Sequence, residues 1–270
     1  MIQLARRPLP GNTARALRRL QSNVNAVKLY SDRVVEAKRR FAAKNTATDA
    51  VFKVIRRELT ALCSGAARCV YCEDSARDQV EHYKPKTLYP EAAFVWENYV
   101  YACGRCNRMK GARFAVFRSS DGKFAEVSRL PGSPVTPPVA GKPVIIDCRA
   151  EDPMRLLQLD LLGTFFFLPL NGLSAANEKR AVHSIEVLRL NVREELPLGR
   201  AQAYHGFRAR LHEYQQKRDA GSPSAELSQL RNNLLSANHP TVWREMVRQQ
   251  KKINELGAIF ARVPESLLWQ

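Results

Sequence analysis

Acidic charge is scarce in this sequence. Only 26 Asp and Glu stand against 43 Lys and Arg among 270 residues, a net charge of +17. An acidic, solvating chain is excluded, and a long-range attraction for polyanions is built in. Long apolar runs are missing too. The most hydrophobic stretch, 159–173, is broken by Asp160, Gly163, Pro169 and Asn171 and falls short of the roughly 20 apolar residues that a membrane-spanning helix needs. No apolar segment follows Met1-Ile2-Gln3-Leu4-Ala5-Arg6-Arg7-Pro8, which reads against a secretory signal and for a cytoplasmic protein with no membrane partner. The chain does hold enough apolar matter to fold: 45% hydrophobic residues argue against wholesale disorder, and a chain this long needs no disulfide framework. In a reducing compartment its six cysteines are read first as metal ligands.

The basic charge is unevenly placed. Residues 1–40 carry ten Lys and Arg against Asp32 and Glu36. Apolar positions at Leu17, Leu20, Val24, Val27, Val34 and Val35 predict a helical stripe over 12–44, with arginines on the opposite face. Val51, Val54, Ile55 and Leu59 predict a second helix over 48–62, started by Thr48-Asp49. Ser64-Gly65-Ala66-Ala67 then breaks the pattern and opens a cysteine-containing region reaching about residue 113. The Pro/Gly-rich passage 130–143 reads as a loop, followed by short strands at 144–147 and 164–168. Helical spacing returns at 175–190, 198–218, 224–237 and 240–262, with breaks at Asn191 and Gly221-Ser222-Pro223 and with Pro240 suited to a first turn. There is no internal repeat.

Chemistry concentrates in the cysteine region. Cys69-Val70-Tyr71-Cys72 and Cys103-Gly104-Arg105-Cys106 are two CxxC pairs separated by thirty residues. Each pair bends around one ion through a tight turn, and four thiolates close a structural Zn²⁺ site without an open position. A thioredoxin-like reading lacks its βαβ context. Cys63 and Cys148 have no such partner and read as buried apolar residues. Between the pairs, Val80-Glu81-His82-Tyr83-Lys84-Pro85-Lys86 places a carboxylate beside a histidine on a strand that Pro85 stops. Trp96-Glu97-Asn98-Tyr99 opens a second strand, and Cys106-Asn107-Arg108-Met109-Lys110-Gly111 opens a short helix.

Strand, loop, strand and helix with these residues resembles the ββα-metal fold of HNH endonucleases, in a variant with Asn in the third position and a four-Cys zinc knuckle, over about residues 66–115. The resemblance implies His82 as general base, because a neutral imidazole accepts a proton from water near pH 7. It implies Glu81 and Asn107 as oxygen ligands of one catalytic Mg²⁺ or Mn²⁺, and Asn98 as the brace of the inter-strand loop. Family members most often have Asp where Glu81 stands, and Asn107 is also a plausible helix cap. With regular pairing Glu81 and His82 point to opposite faces of their strand, so sharing one site requires a local twist. Lys84, Lys86, Arg105, Arg108 and Lys110 are the expected nucleic-acid contacts, with the arginines of 1–40 as further phosphate ligands or a docking face.

More closely, these strings together with Ile145-Ile146-Asp147-Cys148, Glu151-Asp152-Pro153 and the helix ending Leu188-Arg189-Leu190-Asn191 resemble the HNH nuclease subunits of Septu-type and retron-associated antiphage systems. An ABC-type ATPase partner is implied by that resemblance alone. The expected fold is α+β and mostly α-helical: a basic helical region at 1–64, a zinc-stapled ββα-metal core and following loop at 65–150, and a mainly helical region at 151–270. The expected function is a metal-dependent endonuclease acting on DNA or on RNA such as tRNA. The alternative is a zinc-ribbon-like module that grips nucleic acid or protein without cutting.

Overall fold

The computed structural model describes residues 1–130 and 132–269. It is α+β and mostly helical. Helices α1 (Gly11–Asn25) and α2 (Tyr30–Lys44) replace the single stripe expected over 12–44. The chain leaves helical geometry after Ala26, and Leu29 is extended. Each helix buries one side: Thr13, Leu17, Gln21 and Val24 on α1, Val34, Ala37 and Phe41 on α2. Helix α3 (Ala50–Thr60) starts as expected, with the Asp49 carboxylate accepting from the backbone N–H of Val51 and Phe52, each at 3.0 Å.

Strands β1 (Gln79–His82) and β2 (Tyr99–Ala102) form an antiparallel hairpin, followed by the short helix α4 (Gly104–Lys110). Next comes a three-stranded antiparallel sheet, ordered β4-β3-β5, built from β3 (Ala115–Arg118), β4 (Phe124–Glu126) and β5 (Gly141–Pro143). The end of the expected 130–143 loop is thus a strand, and the strand expected at 144–147 is instead the buried continuation of β5, with Val144 N–H donating to Ala115 O at 3.0 Å. Gly141 permits this pairing: a Cβ there would lie 2.3 Å from the Phe117 carbonyl oxygen. Strands β6 (Leu157–Leu159) and β7 (Phe167–Pro169) make a second hairpin, whose turn is held by the Asp160 carboxylate.

Helices α5 (Ala175–Val187), α6 (Glu195–Asp219), α7 (Ser224–Leu235), α8 (Pro240–Gln249) and α9 (Asn254–Arg262) complete the fold. The expected 240–262 helix is split at 250–253. One contiguous set of buried apolar side chains runs through all three expected segments, from Leu17 through Tyr99 to Phe260. Polar links reinforce it. The Met1 amino group pairs with buried Glu73, whose other oxygen accepts from Thr241 N–H at the start of α8. Among the described residues no helix is long and apolar enough to cross a membrane.

Candidate zinc knuckle and nuclease site

Two tight turns bring the cysteines together. After Gly65 (φ +52°) the chain folds so that Glu73 N–H donates to Cys69 O at 2.8 Å and Cys69 N–H to Ser75 O at 2.9 Å. On the other side Cys103 caps α4, its sulfur accepting from Cys106 N–H at 3.4 Å. The four Sγ atoms lie within 4.8 Å of one another, with Cys72 and Cys103 4.0 Å apart. A tetrahedral Zn²⁺ with bonds of about 2.3 Å sets its sulfurs roughly 3.8 Å apart, so the thiols fit one zinc ion. Arg193, nearly buried, brings Nη1 to 3.5 Å from Cys106 Sγ. Burial opposes its charge, but the Cys106 sulfur overrides this and keeps it firmly protonated. A four-thiolate zinc would carry two net negative charges, one of which this guanidinium offsets. Nothing in the local pattern marks Arg193, which reaches the knuckle from the segment before α6. Cys63 and Cys148 stand outside the cluster, and burial pushes the Cys63 thiol up to about 11.

The hairpin register is regular, with Glu81 opposite Val100 and His82 opposite Tyr99. Glu81 and His82 therefore face opposite sides. The Glu81 side meets α4 in two rungs: Asn107 Nδ2 donates to Gln79 Oε1 at 2.6 Å, and Lys110 Nζ donates to Glu81 Oε1 at 2.6 Å. Lys110 also donates to His82 O at 2.7 Å and is 0% exposed. It is not a surface phosphate ligand, because its charge is spent on a buried carboxylate. Glu81 and Asn107 sit on facing elements, and among the described residues neither Glu81 Oε2 nor Asn107 Oδ1 takes a hydrogen bond. A carboxylate and an amide oxygen suit Mg²⁺ or Mn²⁺ by type, with Lys110 already on the carboxylate.

His82 packs on the other side, against Phe41 of α2 and Tyr99, with ring centroids at 4.4 Å and 5.2 Å. It is 3% exposed. Its Nε2 lies 2.9 Å from Ala93 O. A carbonyl only accepts, so Nε2 carries the proton and Nδ1 the free lone pair. Burial, aided by the Lys86 charge, holds the imidazole well below its ordinary range and hence neutral. Asn98 binds both sides of the inter-strand loop: Oδ1 accepts from Lys84 N–H at 2.7 Å, and Nδ2 donates to Lys84 O at 3.0 Å and Ala92 O at 2.9 Å.

The remaining basic residues are dispersed. Lys84 Nζ lies over Tyr89 and Lys86 Nζ over Phe41, both part-buried. Arg105 is exposed and paired with Glu195, while exposed Arg108 has no ion-pair partner among the described residues.

Residues 69–113, which span the cysteine-stapled hairpin and the helix that starts within the second CxxC, match the HNH endonuclease family model. The chain carries an HNH segment. Among individual proteins, the Septu protein PtuB of Bacillus thuringiensis is 43% identical over 49 residues, which cover 16% of this chain and 19% of that protein. The chain thus spans about a fifth of that relative's length.

Proposed function

We propose that this protein is a metal-dependent HNH endonuclease that hydrolyses phosphodiester bonds, with DNA the favoured substrate, and that it serves antiphage defence beside an ABC-type ATPase. The observation that carries the reading is the placement of the motif: His82 ends β1 with its ring pinned through Nε2–H to Ala93 O, leaving Nδ1 for a proton from water, beside Glu81 on the same strand and Asn107 on the facing helix. Asn98 holds the loop that supplies that carbonyl through its bond to Ala92 O. Glu81 and Asn107 would hold the divalent ion on the α4 side of β1, opposite the His82 ring, where it would supply counter-charge for the phosphate and the leaving oxygen. Joint action on one phosphate requires the end of β1 to turn so that the two sides meet. No residue of the set calls for a 2′-hydroxyl, so RNA such as tRNA is the second substrate class. The defence role and the ATPase partner rest on the resemblance to Septu-type nucleases and on the partial match to a Septu protein.

The enclosure of His82 and the Lys110 ion pair on Glu81 favour a second reading, a zinc-stapled module that grips nucleic acid without cutting it. Nicking of plasmid DNA by the zinc-loaded protein with Mg²⁺ or Mn²⁺, with its ATPase neighbour where one is encoded, separates the two. We expect cleavage by the wild type and none by His82→Ala, at unchanged zinc content. Full activity in that variant overturns the assignment of the base, and no cleavage by the wild type favours the module.

A further inference from the structure

Glu81 already has a cation. Lys110 lies in the last turn of α4 with no exposed surface, its Nζ 2.6 Å from Glu81 Oε1 and 2.7 Å from His82 O. An ammonium has three N–H donors, and two of them grip consecutive residues of β1. The same helix face reaches β1 a second time through Asn107 and Gln79, while the N-terminal end of α4 is fixed by Cys103 and Cys106. The helix is therefore anchored at one end by the zinc knuckle and at the other by Lys110. A buried lysine is tolerated here because a carboxylate and a carbonyl receive it, and removing it strands a buried negative charge.

We propose that Lys110 is a positioning residue and a resident cation of the site. It fixes the Glu81 carboxylate and the His82 carbonyl relative to α4, and by sharing Glu81 it keeps the affinity for a divalent ion low until a phosphate adds negative charge. This rests on the reading of Glu81 and Asn107 as the divalent-ion ligands. A divalent ion approaching Glu81 Oε2 and Asn107 Oδ1 meets a positive charge held on the same carboxylate, and like charges in a poorly solvated site repel strongly. A phosphodiester brought to the site offsets that repulsion, so ion and nucleic acid bind cooperatively. The device makes the metal site depend on substrate.

Calorimetric titration of Mn²⁺ into full-length, zinc-loaded protein tests this, with and without an oligonucleotide carrying uncleavable phosphorothioate linkages. Lys110→Met should bind Mn²⁺ alone about tenfold or more tighter than wild type, and the oligonucleotide should strengthen Mn²⁺ binding in the wild type but little in the variant. At saturating Mn²⁺ the variant's kcat for cleavage should fall about tenfold or more with KM for nucleic acid within about threefold, since the anchor of β1 is lost while the surface is not. Lys110→Arg should restore the wild-type Mn²⁺ behaviour. Equal or weaker Mn²⁺ binding in Lys110→Met, at native zinc content, overturns the proposal, as does absence of Mn²⁺ binding in both proteins. If Lys110→Met does not fold, Lys110→Gln is read in the same way. A wild type that binds Mn²⁺ but cuts nothing sinks the nuclease reading and leaves the Mn²⁺ comparison to decide the role of Lys110.

Discussion

Asn98 spends its whole amide on one loop. It accepts one backbone hydrogen bond and donates two, and all three partners belong to the connection between β1 and β2. Asn98→Ala should cost about 2–4 kcal/mol, because each lost bond contributes about 1 kcal/mol and the buried backbone partners are left unpaired. Asn98→Asp should be at least as damaging, since a carboxylate cannot donate to the Lys84 and Ala92 carbonyls. Urea denaturation measures both, and a loss below about 0.5 kcal/mol in Asn98→Ala removes the bracing role. At this scale residue type and short spacing made much of the site legible: the CxxC pairs announce a cluster that the structure closes to within 4.8 Å. Lys110 and Arg193 were not legible in their observed roles. One is buried by a carboxylate 29 positions away and the other touches a sulfur 87 positions away, and neither separation has a local pattern.

Helix α2 covers the face of the hairpin that bears His82, and Phe41 is the side chain in contact. His82 is 3% exposed beneath this cover, and the degree of cover is measurable. Deuterium exchange at the imidazole C2 position should be slow at His82 and fast at exposed His205 and His212. Phe41→Ala should accelerate it at His82 while costing about 3–5 kcal/mol of stability. Exchange at His82 that is already as fast as at His205 rejects the cover. The cover was not legible because the apolar stripe over 12–44 shows that a helix is amphipathic but not which surface receives it. The break at 26–29 and the β3–β5 sheet were likewise set by tertiary pairing, as Gly141 against Phe117 shows.

Helix α8 is tied to the segment before β6 by a different device. Arg244 pairs with Asp152, at 3.0 Å from Nη1 to Oδ1, and Asp152 also caps the turn through Met154 N–H. Burial alone would raise the Asp152 carboxyl, yet the Arg244 and Met154 hydrogen bonds leave it below the ordinary aspartate value. The unfolded chain then takes up the proton first as pH falls. The contribution is complete above an unfolded value of about 4 and is lost as pH drops through the lower folded value. Solvent at half-exposed Arg244 limits it to about 1 kcal/mol. Asp152→Asn should lower stability by about that much at pH 7 and by less at pH 3, as read from denaturation midpoints. An equal loss at both pH values rules out the ion pair as its source.

Charge is the property of the whole molecule that composition showed first, and the structure makes it local. The three expected segments share one core, and Met1, Glu73 and Thr241 join the beginning, the knuckle and the last third of the chain. A surface charge on one segment therefore acts on a folded body that also holds the HNH core. Of the basic residues in 1–40, Arg7 is paired with Glu58, and Arg39 and Arg40 share Glu36. Arg6, Arg18, Arg19 and Lys38 are exposed and have no carboxylate partner among the described residues. Each arginine that neutralises a phosphate of duplex DNA steepens the fall of log K with log salt by about 0.9. If Arg18 and Arg19 on α1 both touch phosphates, replacing the two with alanine should weaken binding of a DNA duplex at low salt and flatten the slope by about 1.8. Fluorescence anisotropy over a range of salt concentrations measures the slope. An unchanged slope, with cleavage retained, means that this face meets a protein surface, and an ATPase partner becomes the expected occupant. A flattened slope makes the excess positive charge part of the substrate grip, on the segment whose α2 covers the proposed base.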